Sequence, residues 1–125
     1  PINMFMDGMA IFNFAIKRVP ALLEEIITYS NWEKEEVDIY AMHQANKFMI
    51  DYLRKKCKVP IEKMPIAMDG IGNTGPATIP ILLTELKSEI GKYKKVILCG
   101  FGVGLSWGAL TCDLSNTKVL KTIEY

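Results

Sequence analysis

A short apolar run that ends in a polar corner decides the fold: Asp38-Ile39-Tyr40-Ala41-Met42-His43-Gln44-Ala45-Asn46. The apolar part fits a buried parallel strand, and Asn46 is a residue type that caps helices. Apolar residues then recur at helical spacing, at Met49, Ile50, Leu53 and Cys57. The stretch therefore predicts a strand, a corner and a helix. In open α/β sheets, such corners lie at the edge where ligands usually bind.

Two further helices are predicted from apolar residues that recur every three or four positions. The first covers residues 11–27. Pro20 lies inside it and predicts a kink or a restart, because proline removes one backbone donor. The second covers residues 79–90, with Pro80 near its start. We expect it to end at Gly91, since glycine commonly terminates helices.

Strands and a glycine-rich loop complete the pattern. Residues 96–99 predict a short buried strand, residues 100–104 a tight loop, and residues 105–114 a returning strand. Strands that alternate with helices indicate the α/β class. We expect one domain over residues 1–125, built as a mixed sheet with packed helices.

Composition limits the classes of partner. Half of the residues are hydrophobic and 23% are charged, which favours a compact core. The net charge of +1 gives no reason to expect nucleic acid or an acidic membrane surface. No apolar run reaches the roughly 18 residues of a membrane span. The three cysteines are odd in number and lack metal-ligand spacing, so we expect free thiols in a reducing cytoplasm.

His43 is the only histidine of the chain and the first candidate for chemistry. It is flanked by polar residues at a strand-to-helix corner, where side chains can point into a cleft. A neutral imidazole there can donate a hydrogen bond to a developing oxyanion or transfer a proton. An ordinary structural histidine is the alternative.

Asn73 is the second candidate, within Asp69-Gly70-Ile71-Gly72-Asn73-Thr74-Gly75. One interpretation is a turn residue, since asparagine tolerates left-handed backbone angles. The other is a fixed amide donor on a loop whose glycines let a substrate approach.

The glycines around Val103 do not form a dinucleotide-binding motif, because Leu105 and Ser106 follow where G-x-G-x-x-G needs a third glycine. A backbone N–H of this loop can still serve an oxyanion hole. Cys57, Cys99 and Cys112 fall on a helix stripe or in strands, where cysteines are usually inert. A nucleophile among them is therefore not expected.

Three ordered motifs resemble one known family. His43-Gln44-Ala45-Asn46, then Gly72-Asn73-Thr74, then the glycine loop followed by Trp107-Gly108 look like the C-terminal half of a ketoacyl synthase III. That family starts type II fatty acid synthesis on a thiolase-like fold. The resemblance implies that residues 1–125 are its C-terminal domain, separated from the N-terminal half that carries the catalytic cysteine. Pro1 is not a usual translation start, so we expect a processed chain or a piece of a longer one.

The resemblance also implies roles for individual residues. His43 and Asn73 match the family's Cys-His-Asn triad and would donate to the thioester oxygen of a malonyl unit. The backbone N–H near Val103 would complete a second oxyanion hole. Asn46 and Phe12 match positions that line the substrate and pantetheine channel.

The implied reaction moves an acyl group from coenzyme A to the cysteine and condenses it with malonyl-acyl carrier protein, with loss of carbon dioxide. It requires no metal and no redox cofactor. The implied partners are the N-terminal half, acyl carrier protein, coenzyme A thioesters and a second copy in a homodimer or other homo-oligomer. We expect the chain alone to be inactive.

Two departures leave alternatives open. Val103 stands where the family often has glycine, and Phe48 stands where many members have an arginine that meets acyl carrier protein. Carrier-protein docking would then fall to Lys47, Arg54 or Lys55. A related condensing enzyme or acyltransferase of secondary metabolism is one alternative. A non-catalytic scaffold that binds acyl carrier protein is the other.

Overall fold

The structure is a computed structural model that describes residues 6–120 and 123, so Pro1 lies outside the described residues. Within this part of the chain, the helices are α1 (Gly8–Tyr29), α2 (Lys47–Lys56) and α3 (Thr78–Glu85). The strands are β1 (Ile39–Met42), β2 (Val96–Gly102) and β3 (Ser106–Cys112). Short 3-10 turns occur at Lys34–Glu36, Ile61–Lys63, Gly75–Ala77 and Ile90–Lys92.

The three strands form a mixed sheet in the order β1-β2-β3. β1 and β2 are parallel, with Ile39 opposite Val96. β2 and β3 are antiparallel, with Gly102 opposite Ser106. The predicted α/β class with a mixed sheet and packed helices is confirmed.

The larger core lies between the sheet and the pair α1 and α2. Sheet residues Tyr40, Met42 and Ile97 pack there with buried residues of both helices: Ala15, Val19, Leu23, Met49, Ile50 and Leu53. On the opposite face, Leu82 of α3 packs on Ile39 and Ala41. Every residue of β1 is buried, as a parallel strand covered on both faces requires.

Helix α1 continues through Pro20, so the expected restart is wrong. Pro20 cannot donate to the carbonyl of Ile16, four residues earlier. The side chain of Lys56, at the end of α2, donates to that carbonyl oxygen at 2.7 Å instead. A neighbouring helix thus replaces the hydrogen bond that proline removes, and it also fastens α2 to α1.

Helix α3 ends at Glu85 rather than at Gly91, which lies within the Ile90–Lys92 turn. The N–H of Glu89 donates to the carbonyl of Leu86 at 2.8 Å, so the chain turns there. Ile90 is nevertheless buried. The apolar spacing correctly predicted burial of this position but not the continuation of the helix.

The glycines at 100 and 102 belong to strand β2 and not to a loop. Gly100 pairs with Gly108 across the sheet. Pairing with β3 supplies the hydrogen bonds that keep this segment extended, and the turn is confined to residues 103–105. In the described part of the chain, no helix combines the length and apolarity needed to cross a membrane.

Candidate active site

A cavity of about 480 Å³ opens where β1 and β2 end. The start of α1, the corner after β1, the loop before α3 and the end of β2 line it. Four residues singled out in the sequence line it: His43, Asn46, Asn73 and Val103. Phe12 is not part of the wall.

His43 is held by its backbone and by one ring nitrogen. Its N–H donates to the carbonyl of Cys99 on β2 at 2.8 Å, which extends the parallel pairing by one residue. Its Nδ1 lies 2.6 Å from Oγ1 of Thr78, and the ring stands edge-on to Phe101 with 5.4 Å between centroids. Burial lowers the pKa of His43. Burial therefore favours the neutral form of the imidazole.

Thr78, which the sequence analysis missed, is the first residue of α3 and is buried. Its hydroxyl donates to the carbonyl of Gly75 at 3.0 Å while it contacts His43. The only sequence signal was a small polar residue at the start of an apolar helical stripe. Such a residue is ordinary at a helix start, so the pattern alone assigned it no role.

Gln44, quoted in the sequence without a role of its own, anchors the corner. It is 1% exposed. Its Nε2 donates to the carbonyl of Met42 at 2.8 Å, and its Oε1 accepts from the N–H of Ala67 at 3.0 Å. A buried amide whose two ends are both paired fixes the backbone on each side of it. Gln44 thereby sets the position from which His43 projects.

Asn73 is both a turn residue and an oriented amide. Its Oδ1 accepts from the N–H of Gly75 at 2.9 Å, and its Nδ2 donor group has no hydrogen-bond partner among the described residues. Gly72 and Gly75 on either side have φ angles of 74° and 62°. These left-handed conformations favour glycine. The two interpretations of Asn73 are therefore compatible.

Asn46 caps α2, because its Oδ1 accepts from the N–H of Met49 at 2.8 Å. The predicted cap is thus confirmed, and Asn46 also lines the cavity. Phe12 instead packs on Phe48 and Tyr52, with centroid distances of 5.6 and 5.3 Å. These three aromatic side chains join α1 to α2 outside the cavity wall.

Val103 lies in the turn between β2 and β3 and is 78% exposed. Val103 lines the same cavity as Asn73 and His43.

The predicted docking residues on α2 differ in accessibility. Lys47 and Lys55 are exposed. The side chain of Arg54 is only 17% exposed, lies 3.5 Å from the carboxylate of Asp51, and buries its Nε without a hydrogen-bond partner among the described residues. Its guanidinium is therefore less available to a partner than the two lysine side chains.

None of the cysteines lines the cavity. Burial raises the pKa of Cys99 to about 12 and also raises the pKa of Cys57 and of Cys112. Thiols with raised pKa values are poor nucleophiles. Within residues 6–120 and 123, His, Cys, Asp and Glu side chains form no group of three arranged to hold a metal ion.

Residues 27–114 match the family described as 3-Oxoacyl-[acyl-carrier-protein (ACP)] synthase III C terminal. The chain is 42% identical over 116 residues to beta-ketoacyl-[acyl-carrier-protein] synthase III of Lactococcus lactis subsp. lactis, covering 90% of this chain and 36% of that protein. It is 44% identical over 110 residues to the protein of the same description from Streptococcus agalactiae, covering 84% and 34%.

Among solved structures, the crystal structure of 3-oxoacyl-(acyl-carrier protein) synthase from Burkholderia xenovorans LB400 superposes with a TM-score of 0.85. The two are 36% identical, and the match covers 97% of this chain and 35% of the other. The chain spans about a third of the length of the curated relatives that it matches.

Proposed function

The chain belongs to the 3-oxoacyl-[acyl-carrier-protein] synthase III family, and on that premise we propose that it is the C-terminal part of a condensing enzyme. The enzyme joins an acyl primer from coenzyme A to malonyl-acyl carrier protein with loss of carbon dioxide, which begins type II fatty acid synthesis. One observation carries the proposal: His43 and Asn73, the two non-cysteine members of the family's triad, line a single cavity.

The cavity suits the chemistry of a malonyl thioester. When the malonyl carboxylate leaves as carbon dioxide, its electron pair moves into an enolate whose negative charge rests on the thioester oxygen. A fixed donor beside that oxygen stabilises the charge as it forms. The Nδ2 group of Asn73 is such a donor, because Gly75 already engages the other end of the amide.

The nucleophile of the proposed reaction lies outside residues 1–125. Cys57, Cys99 and Cys112 all have raised pKa values and are not among the residues that line the cavity. The relatives are about three times as long as their matching segment, which leaves room for a half that carries a reactive cysteine. We therefore propose that this N-terminal half is an obligatory partner and that residues 1–125 alone do not turn over.

The remaining partners follow from the same proposal. They are acyl carrier protein, coenzyme A thioesters and a second copy in a homodimer, with no metal or redox cofactor. The exposed side chains of Lys47 and Lys55 lie on the helix that begins at the cavity-lining Asn46, and they supply positive charge for an acidic carrier protein. Three unpaired cysteines suit a cytoplasmic location.

A scaffold without catalysis is the weaker alternative. Binding a carrier protein requires neither a neutral histidine nor an oriented amide in a shared cavity. A related condensing enzyme with another acyl substrate would use the same His43 and Asn73 arrangement. Analysis of the reaction products therefore distinguishes that alternative from the proposed enzyme. Loss of decarboxylation in variants of His43 or Asn73 would not distinguish the two.

The test is malonyl-thioester decarboxylation by the longer polypeptide that the proposal requires, encoded by the gene that specifies residues 1–125. Asn73→Asp retains the acceptor for the N–H of Gly75 and replaces the amide donor with an oxygen. We expect the rate to fall by about 100- to 1,000-fold. Asn13→Asp, at an exposed position of α1, makes the same chemical change and should leave the rate unchanged.

His43→Ala should abolish decarboxylation while the cysteine still takes up acyl groups from coenzyme A. Acyl uptake is followed by the mass of the intact protein. Unchanged decarboxylation in both Asn73→Asp and His43→Ala would show that these residues have only a structural role. That result would overturn the proposal in favour of the scaffold.

A further inference from the structure

We propose that exposed aromatic side chains at the start of α2 form the apolar centre of the surface that binds acyl carrier protein. They are Phe12, Phe48 and Tyr52, which we call the aromatic patch. The inference deepens the proposed function and rests on it, because the proposed reaction takes its malonyl unit from that carrier. The exposed side chains of Lys47 and Lys55 supply the positive rim of the same surface.

Phe48 is more exposed than a role in helix packing requires. It stacks on Phe12 with ring centroids 5.6 Å apart, yet 68% of it remains exposed. Tyr52, one helical turn later, is also exposed, as is Met9, one turn before Phe12 on α1. Contact between α1 and α2 therefore explains how these rings are oriented, but it leaves an apolar face uncovered. Exposed apolar patches rimmed by polar residues mark interaction surfaces.

The charge around the aromatic patch is positive. Helix α2 carries four basic residues and one acidic residue, Asp51, whose carboxylate lies 3.5 Å from Arg54. On the α1 side, no charged residue occurs between Asp7 and Lys17. A surface with an apolar centre and a positive rim is complementary to an acidic helix that also presents apolar side chains. The patch therefore fits an acidic carrier protein.

The aromatic patch adjoins the cavity of the candidate active site. Phe12 directly follows Ile11 and Phe48 directly precedes Met49, and both Ile11 and Met49 line the cavity. A carrier protein holds its thioester on a flexible arm, so its own surface must rest beside the opening that the arm enters. The patch has the placement that this delivery requires.

Packing orders the aromatic rings before a partner arrives. Phe48 contacts Phe12 and lies with its centroid 6.5 Å from that of Tyr52, which restricts its rotamer in the unbound protein. Association then loses less side-chain entropy. Ordered aromatic side chains at the centre of an interface often contribute most of its affinity. We therefore expect Phe48 to contribute more to carrier binding than either Lys47 or Lys55.

The experiment is isothermal titration calorimetry of the longer polypeptide with acyl carrier protein in its apo form, which lacks the flexible arm and so reports surface contact alone. We expect Phe48→Ala to raise the dissociation constant by about tenfold, as truncation of a central aromatic residue does. Phe48→Leu keeps an apolar side chain and should raise it less. Tyr29→Ala removes an aromatic side chain that is 87% exposed at the far end of α1 and should leave binding unchanged.

Salt and temperature separate the apolar contact from the charged rim. The effect of Phe48→Ala should persist when the ionic strength rises from about 0.1 M to about 0.5 M, whereas the effect of Lys55→Gln should shrink, because salt screens exposed charges. Phe48→Ala should also make the heat-capacity change of binding less negative, since less apolar surface is buried.

Carrier binding that is absent from the wild type, or unchanged in Phe48→Ala, would overturn the proposal. Unchanged binding with an altered oligomeric mass by light scattering would assign the aromatic patch to a second copy instead. Unchanged binding with a lower free energy of unfolding would assign it to contacts within the longer polypeptide.

The titration does not depend on turnover, so it separates this inference from the proposed function. Carrier binding that requires Phe48, in a wild type that does not decarboxylate malonyl thioesters, would retain the docking surface and reject the catalytic function. Decarboxylation of malonyl-coenzyme A that requires His43, with carrier binding insensitive to Phe48→Ala, would reject the docking surface alone.

Discussion

The hydrogen bond from Lys56 to Ile16 predicts a measurable coupling between two helices. Pro20 leaves the carbonyl of Ile16 without its helical donor, and Lys56 donates to it at 2.7 Å. A hydrogen bond from a charged group is worth roughly 1.5–3 kcal/mol, and exposure of this site reduces that value. We expect Lys56→Met to lower the free energy of unfolding by about 1 kcal/mol.

The matched control is Lys55→Met, the adjacent and exposed residue of the same helix turn. Lysine and methionine have similar helix propensities. Both changes also remove one positive charge near the C-terminal end of α2, where it favours the helix dipole. The difference between the two variants therefore isolates the hydrogen bond to Ile16.

A double-mutant cycle with Pro20→Ala tests the cause. Alanine restores the N–H that reaches the carbonyl of Ile16. An interior proline costs about 3 kcal/mol in a helix, and its stiffening of the unfolded chain returns about 0.4–1 kcal/mol. Pro20→Ala should thus stabilise the chain by about 2 kcal/mol. In that background, Lys56→Met should cost little, which gives a coupling energy of about 1 kcal/mol.

Urea denaturation followed by far-ultraviolet circular dichroism measures all four free energies, with the denaturant slopes compared for two-state behaviour. Equal losses of unfolding free energy in Lys56→Met and Lys55→Met would show that the hydrogen bond to Ile16 does not contribute to stability. Additivity of Lys56→Met and Pro20→Ala would show that the lysine does not replace the missing helical donor.

Three further changes test the site's framework. Asn46→Ala should lower the free energy of unfolding by about 1 kcal/mol through loss of the α2 cap, whereas Asn46→Asp retains an acceptor and should cost less; thermal denaturation compares them. Gln44→Met leaves the N–H of Ala67 unpaired, so we expect a loss of about 2 kcal/mol and faster amide exchange at Ala67. Because burial lowers the pKa of His43, the unfolded chain binds the proton more readily below the ordinary value of 6.5. The wild type should therefore lose stability relative to His43→Gln as the pH falls from about 7 to about 5; a parallel response of both variants would contradict this sign.

Sequence patterns predicted the strand β1, the cap at Asn46 and the placement of His43 because each depends on neighbours within a few residues. The end of α3 was wrong because the apolar spacing that includes Ile90 reports burial, and a turn can bury a residue as well as a helix can. The extent of β2 depends on its pairing with β3, as at Gly100 and Gly108. Such a partner lies outside any local pattern.

The residues of the site show the same difference between local patterns and contacts with distant parts of the chain. Asn73 and His43 became candidates from their positions at corners, and the resemblance to the family's ordered motifs gave them their predicted roles, since each position alone also had a structural explanation. Thr78 was missed because its role exists only through contacts with His43, 35 residues earlier in the chain. Arg54 was expected at the surface because it is charged, but its side chain lies largely buried beside Asp51.

Three polar side chains of the cavity share one feature. Each has two polar atoms, and the protein engages one of them: Oδ1 of Asn46 by Met49, Oδ1 of Asn73 by Gly75, and Nδ1 of His43 by Thr78. The engaged atom fixes the orientation of the side chain, so the free atom meets a substrate without a further loss of rotamer entropy. Two of the three remaining groups are amide donors, and the third is Nε2 of His43. A cavity built this way presents fixed amide donors to a negative charge that develops on a bound thioester oxygen.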